Sequence, residues 1–127
     1  MLMPAGGHTE KNETPEEAAL REVMEETGLE INFYKQENIW VNYSHAKSLY
    51  RPYLILLENI EKPQVHQHVD FIYLAFPKDN KEPLSPFKYY TLDEVETFYN
   101  KGMVFEDTLL VLKKVFSENL HLEPAKI

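Results

Sequence analysis

Two rhythms of apolar and polar residues divide the chain. Over Pro15–Thr27 the side chains of Leu20, Val23 and Met24 fall on one side of a 3.6-residue repeat, where they can anchor a helix in a core. Thr14 is a good N-cap, Pro15 suits the first helical position, and Glu17 completes a capping box with Thr14. Gly28 is the natural residue just past the end, so the helix is predicted to span Pro15 to Thr27. Beyond Gly28 the period shortens to two. Leu29–Phe33, Asn38–Tyr43, Tyr50–Leu57, His66–Phe76 and Phe87–Tyr90 read as strands, with Pro52 at an edge. Glu61-Lys62-Pro63 and the polar run from Lys78 to Pro86 break the chain between them. Helical spacing returns in Asp93–Asn100, capped by Thr91, and in an amphipathic stretch from Glu106 to Leu120. Without internal repeats or low-complexity segments, this order predicts one α+β domain over residues 1–127.

Composition narrows the functional classes. A chain of 127 residues with 43% hydrophobic content can build a real core. The net charge of −8, from 21 acids against 13 Lys and Arg, argues against non-specific nucleic-acid binding and against a basic membrane-binding face. No apolar run approaches the roughly 18 residues that suggest a membrane span. The lack of cysteine excludes disulfides and thiol chemistry and fits a reducing cytoplasm, the expected location.

The predicted first helix carries the candidate chemistry. Glu22, Glu25 and Glu26 stand at i, i+3 and i+4, so they share one face, and only the small Ala18 and Ala19 lie beside them. Like charges at this spacing weaken a helix by a few tenths of a kcal/mol per pair. A solvated acidic face is one reading. A site for a hard divalent cation, which prefers oxygen ligands, is the other.

A longer pattern bears on the choice. Gly7, five residues, Glu13, seven residues, Arg21-Glu22, an aliphatic, one residue, Glu25-Glu26, one residue, Gly28 and an aliphatic together resemble the complete Nudix box. The resemblance implies a mixed β-sheet packed between helices and a metal-dependent pyrophosphohydrolase. Its substrate class would be a nucleoside diphosphate linked to another moiety. By the same resemblance Glu22, Glu25 and Glu26 hold Mg2+ or Mn2+, joined by the carbonyl of Gly6. Glu13 supports the metal site or its waters, and Arg21 orients the neighbouring acids by ion pairing. Helix spacing agrees on the last point, since Arg21 precedes Glu25 by four residues and offers a planar charged fork. The alternative class is a non-catalytic nucleotide-binding or sensor module, which typically has lost the acids that this chain keeps. The isopentenyl-diphosphate isomerase branch usually depends on a catalytic cysteine, absent here.

Other residues are weaker candidates. His8, beside the glycines, is placed to reach a phosphate, and Glu82 in the polar loop is the first choice for a further acid from the second half. Arg51 and Lys47 are candidate phosphate contacts, with solvation the default. Trp40, Tyr43 and Phe71 are candidates to stack a nucleobase, though such residues more often fill cores. His66, His68 and Asp70 point to one face of a strand and are expected to line a wetter face rather than bind metal. Nudix folds normally place a strand or hairpin before the box, and Met1–Ala5 offers little of one. A sheet lacking it exposes backbone donors and acceptors, so association of two copies, as a homodimer, is expected.

Overall fold

The computed structural model describes residues 9–118. Helix α1 spans Pro15–Thr27 as the capping signals predict. The Thr14 hydroxyl accepts the Glu17 N–H at 3.2 Å and donates to Glu17 Oε1 at 2.9 Å, so cap and third residue lock together through their side chains. Gly28 closes the helix at φ 71°, and its N–H reaches the Met24 carbonyl at 2.9 Å.

The strands pair as three antiparallel two-stranded ladders among the described residues. β1 (Ile31–Phe33) pairs with β6 (Ala75–Pro77), β2 (Asn42–Tyr43) with β3 (Ala46–Lys47), and β4 (Leu54–Ile60) with β5 (His66–Ile72). Helices α2 (Leu92–Asn100) and α3 (Glu106–Ser117) follow and pack together, joined by a 3.1 Å ion pair between Lys113 and Glu96. The α+β class stands. Thr91 caps α2 with a full capping box, its hydroxyl on the Glu94 N–H and the Glu94 carboxylate on its own N–H.

Several predicted elements are redrawn. The run from His66 to Phe76 is two strands, because the chain leaves β4 after Ile72 and pairs with β1 from Ala75. Only Asn42 and Tyr43 of the second predicted strand are extended in a ladder. Ahead of them Ser48 takes over the backbone, bridging the Val41 N–H and the Ile39 carbonyl. The third strand starts at Leu54, since the Gln36 side chain occupies the carbonyls of Arg51 and Pro52. Phe87–Tyr90 forms no strand. A turn at Leu84–Phe87 precedes it, and Tyr90 packs edge-on against Phe98 of α2 instead of pairing its backbone. Helix α3 spans Glu106–Ser117 with Glu118 as its cap, and the last residues of the predicted stretch, through Leu120, lie outside the described residues.

The buried apolar side chains are few: Ala18, Leu29, Phe33, Val104 and Leu109 among the described residues. Phe33 is the aromatic hub, its ring 5.3 Å from Tyr50 and 5.0 Å from Tyr73. Burying one such ring contributes roughly 1.5–3 kcal/mol. The Tyr73 phenol is pushed up by burial and by the nearby Glu16 charge. Glu16 in turn accepts the Tyr50 N–H at 2.9 Å, tying the first turn of α1 to the segment before β4.

Candidate active site on helix α1

The acidic face of α1 is organised by one guanidinium. Arg21 reaches back eight residues to Glu13, with Nε to Oε2 at 2.8 Å and Nη2 to Oε1 at 3.0 Å. This is a bidentate fork. Its Nη1 serves the helix itself, meeting Glu22 Oε1 at 2.8 Å and Glu25 Oε2 at 3.2 Å, with Glu10 at 3.5 Å. The turn that delivers Glu13 is local. Lys11 and Asn12 reverse the chain, Asn12 at φ 64°, so that the Glu13 N–H meets the Glu10 carbonyl at 3.2 Å. The Glu13 carboxylate also takes the Glu10 N–H at 2.9 Å. The Arg21 hydrogen bonds, then the Glu10 backbone bond, hold the Glu13 carboxyl below its ordinary value, and Arg21 is held yet more firmly protonated than usual.

The structure thus brings Glu13, Arg21, Glu22 and Glu25 into one cluster and adds Glu10, which the sequence reading passed over. The signal was present: Glu10 stands three residues before Glu13, a turn's width. Glu26 lies on the same helix, one residue beyond Glu25. Gly6 and His8 fall outside the described residues. Arg51 is exposed, and no described contact joins its side chain to the acidic face. Trp40 packs against Tyr50 and under Lys35, and Tyr43 stacks on His45; no described contact joins either to these acids. His66 and His68 stack edge-on with ring centroids 4.7 Å apart on β5.

Glu82 is exposed, yet its loop is pinned to the end of α1. The Leu84 N–H meets the Thr27 carbonyl at 2.8 Å, Leu84 lies over Gly28, and Lys81 Nζ approaches the Gly28 carbonyl at 3.5 Å. Buried Thr27 secures that end, its hydroxyl donating to the Val23 carbonyl at 2.6 Å and accepting from the Leu29 N–H at 3.2 Å. The loop carrying Lys81 and Glu82 therefore starts from the same end of the helix as Glu25 and Glu26.

The donor set suits a hard divalent cation, being carboxylate oxygens on one helix face. Among the described residues no three His, Asp or Glu groups already converge as a cation site. Arg21 engages Glu22 through Oε1 and Glu25 through Oε2. Each of these bonds uses a single carboxylate oxygen. Two concavities lie elsewhere. A groove of about 610 Å³ runs between Tyr34, Tyr53 and α3, and a smaller one of about 190 Å³ lies among Glu16, Phe33, Tyr50 and Lys78. Neither is lined by Glu22, Glu25 or Glu26. The chemistry, not the concavity, marks the site.

The family model for the NUDIX domain matches residues 3–104, well over half of the chain. The chain belongs to the Nudix family. A solved structure described as a NUDIX-family hydrolase from Clostridium perfringens resembles this Nudix domain at a TM-score of 0.55 and 28% identity, covering 75% of this chain and 68% of that one. No curated protein matches the chain. Nudix-type hydrolase activity is what the family match and the solved neighbour support. Nudix hydrolases generally use divalent metals and act on small nucleotide derivatives. No helix among the described residues is long and apolar enough to cross a membrane.

Proposed function

We propose that this Nudix protein is a metal-dependent pyrophosphohydrolase that cleaves the diphosphate linkage of a nucleoside diphosphate joined to another group. The observation that carries the reading is the Arg21-centred cluster of Glu13, Glu22 and Glu25 on α1, inside a complete box. Glu22, Glu25 and Glu26, with the Gly6 carbonyl, would hold Mg2+ or Mn2+. Such a cation would supply charge neutralisation at the phosphate oxygens and activation of the attacking water. Arg21 holds Glu22 and Glu25 in place, and Glu13 fixes the other edge of its fork. Glu25 has the most exposed carboxylate of the two helix acids that Arg21 engages, 58% against 18% for Glu22. It is the better placed to accept the proton of the attacking water. The water oxygen bonds to phosphorus as the bridging P–O bond breaks, and the bridging oxygen leaves with the second phosphate. Glu82, on its pinned loop, and the exposed Arg51 are assigned to substrate contact, together with His8. A cytoplasmic location and self-association belong to the same reading.

A panel of nucleotide diphosphate derivatives, assayed for phosphate or nucleotide release with magnesium, with manganese and with chelator, tests it. Turnover should appear only with metal. On the substrate so found, Glu25→Gln and Glu26→Gln should each lower kcat at least about tenfold, with the circular dichroism spectrum preserved. Full turnover in both variants would show the acidic face to be merely solvated. Nucleotide binding without turnover across the panel would favour the sensor reading.

A further inference from the structure

The loop between β6 and α2 fixes one lysine at the end of the acidic helix. The Lys81 N–H donates to Asp79 Oδ1 at 2.9 Å, and its carbonyl accepts from the Tyr89 hydroxyl at 3.4 Å. Three residues on, the Leu84 N–H holds the loop to the Thr27 carbonyl at 2.8 Å. The Lys81 ammonium approaches the Gly28 carbonyl at 3.5 Å, the outer limit of a hydrogen bond, and the residue stays exposed. Helix geometry tells which side of α1 this is. Gly28 directly follows the last helical residue, three positions after Glu25 and seven after Arg21, so its Cα continues the stripe that carries both. Glu25 and Gly28 are separated by roughly 4.5 Å along the helix axis.

We infer that Lys81 is a phosphate contact of the active site, its ammonium meeting the diphosphate oxygens of the substrate on the Glu25 side of α1. The identity of the ligand rests on the hydrolase reading above; the choice of residue rests on this loop. Charge supports it. Among the described residues Lys81 makes no ion pair, whereas Lys78, Lys113 and Lys114 each meet a carboxylate. Arg21 divides its donors among Glu10, Glu13, Glu22 and Glu25, which leaves it committed to the acids. A polyanion entering beside glutamates, in a chain of net charge −8, needs compensating cations. An ammonium whose donors no described carboxylate takes supplies one. Support of the helix end does not account for the placement. The last carbonyls of α1 have other partners: Val23 the Thr27 hydroxyl, Met24 the Gly28 N–H and Thr27 the Leu84 N–H. The Gly28 carbonyl lies beyond the helix altogether. Holding the Lys81 backbone at both its N–H and its carbonyl also lowers the ordering cost of a contact made through its side chain.

Calorimetric titration with inorganic pyrophosphate and Mg2+ reads the contact without turnover. Lys81→Met should weaken pyrophosphate binding at least about tenfold, an effect of roughly 1.4 kcal/mol, and Lys81→Arg should restore most of it. Lys62→Met, at an exposed lysine between β4 and β5, should bind as the wild type does. In the wild type the Lys81 ε-methylene resonance should move as pyrophosphate is added, a readout free of substitutions. Urea unfolding separates a purely structural role: a lysine serving only the helix end would lower the midpoint in Lys81→Met and leave pyrophosphate affinity unchanged. That result would overturn the inference. A wild type that binds no pyrophosphate, or an ε-methylene signal that ignores it, would do the same. Metal-dependent turnover across the nucleotide panel, with a pyrophosphate affinity indifferent to Lys81, would remove this contact and leave the hydrolase reading standing. Lys81-dependent binding without turnover would do the reverse.

Discussion

Arg21 shows what a single residue's chemistry contributes here. A lysine ammonium is a point charge, whereas the guanidinium divides its donors among Glu13, Glu22 and Glu25 at fixed angles. Arg21→Lys should therefore keep the charge and lose the alignment, lowering kcat at least about tenfold while KM moves less. The pH dependence has a definite sign. Glu13 is held below its ordinary value of 4.5, so its contribution to stability is present above 4.5 and is lost as pH falls through the lowered value. A carbon-detected titration of Glu13 should show its midpoint returning toward 4.5 in Arg21→Lys. A Glu13 midpoint that stays depressed would mean that the Glu10 backbone bond, rather than the fork, sets it. The Arg21 and Glu25 pairing was legible from four-residue spacing. The fork onto Glu13 was not, because it needs the turn at Lys11–Asn12 to fold the loop back over the helix.

Among the elements, α1 and α2 were read almost residue for residue, and the strands were not. Helix ends are written in adjacent residues: Thr14 and Gly28 for the one, Thr91 with Glu94 for the other. A strand is completed by a partner far along the chain, and alternation alone did not show that His66–Phe76 serves two partners. The same face pattern placed Glu58 and Asp70 diagonally across the ribbon. The hydrogen bond that the Glu58 carboxyl makes to Asp70, followed by burial, pushes the Glu58 carboxyl up, with the Asp70 and Asp107 charges adding to it. The C-terminal end of α1 offers an internal control on its docked loop. Gly28 and Gly102 have nearly the same φ, 71° and 73°, but a Cβ on Gly28 would meet Leu84 Cγ at 3.0 Å whereas one on Gly102 meets nothing within 4 Å. Alanine at either position incurs left-handed strain of about 1–2 kcal/mol. Urea unfolding should show Gly28→Ala costing measurably more than Gly102→Ala. Equal costs would show that Leu84 yields without loss.

Over the whole molecule the core is thin, and no described side chain is completely sequestered. Small domains with little buried apolar area depend heavily on anything that binds the folded state alone. With metal and a substrate analogue at about 100 times the dissociation constant, linkage adds about 2.7 kcal/mol, so the melting temperature should rise by several degrees. The Glu25→Gln, Glu26→Gln double variant should lose most of that rise in a calorimetric scan. An equal rise in the variant would place ligand binding away from α1. The sequence by itself determined the extent of α1, its caps, the shared face of Glu22, Glu25 and Glu26, and the spacing that marks the Nudix family. The helix, its caps and the shared face rest on hydrogen bonds and side-chain neighbours within about four residues, and the family spacing is a linear pattern, so the order of residues specifies both directly. Only the tertiary structure decided which strands pair, that Glu16 ties to Tyr50, that the Leu84 loop rests on Gly28, and that one side of the β4–β5 ribbon is left bare. The Glu16–Tyr50 bond joins residues 34 positions apart, and β1 pairs with β6 across more than 40, where many pairings satisfy the same local pattern and packing alone selects among them.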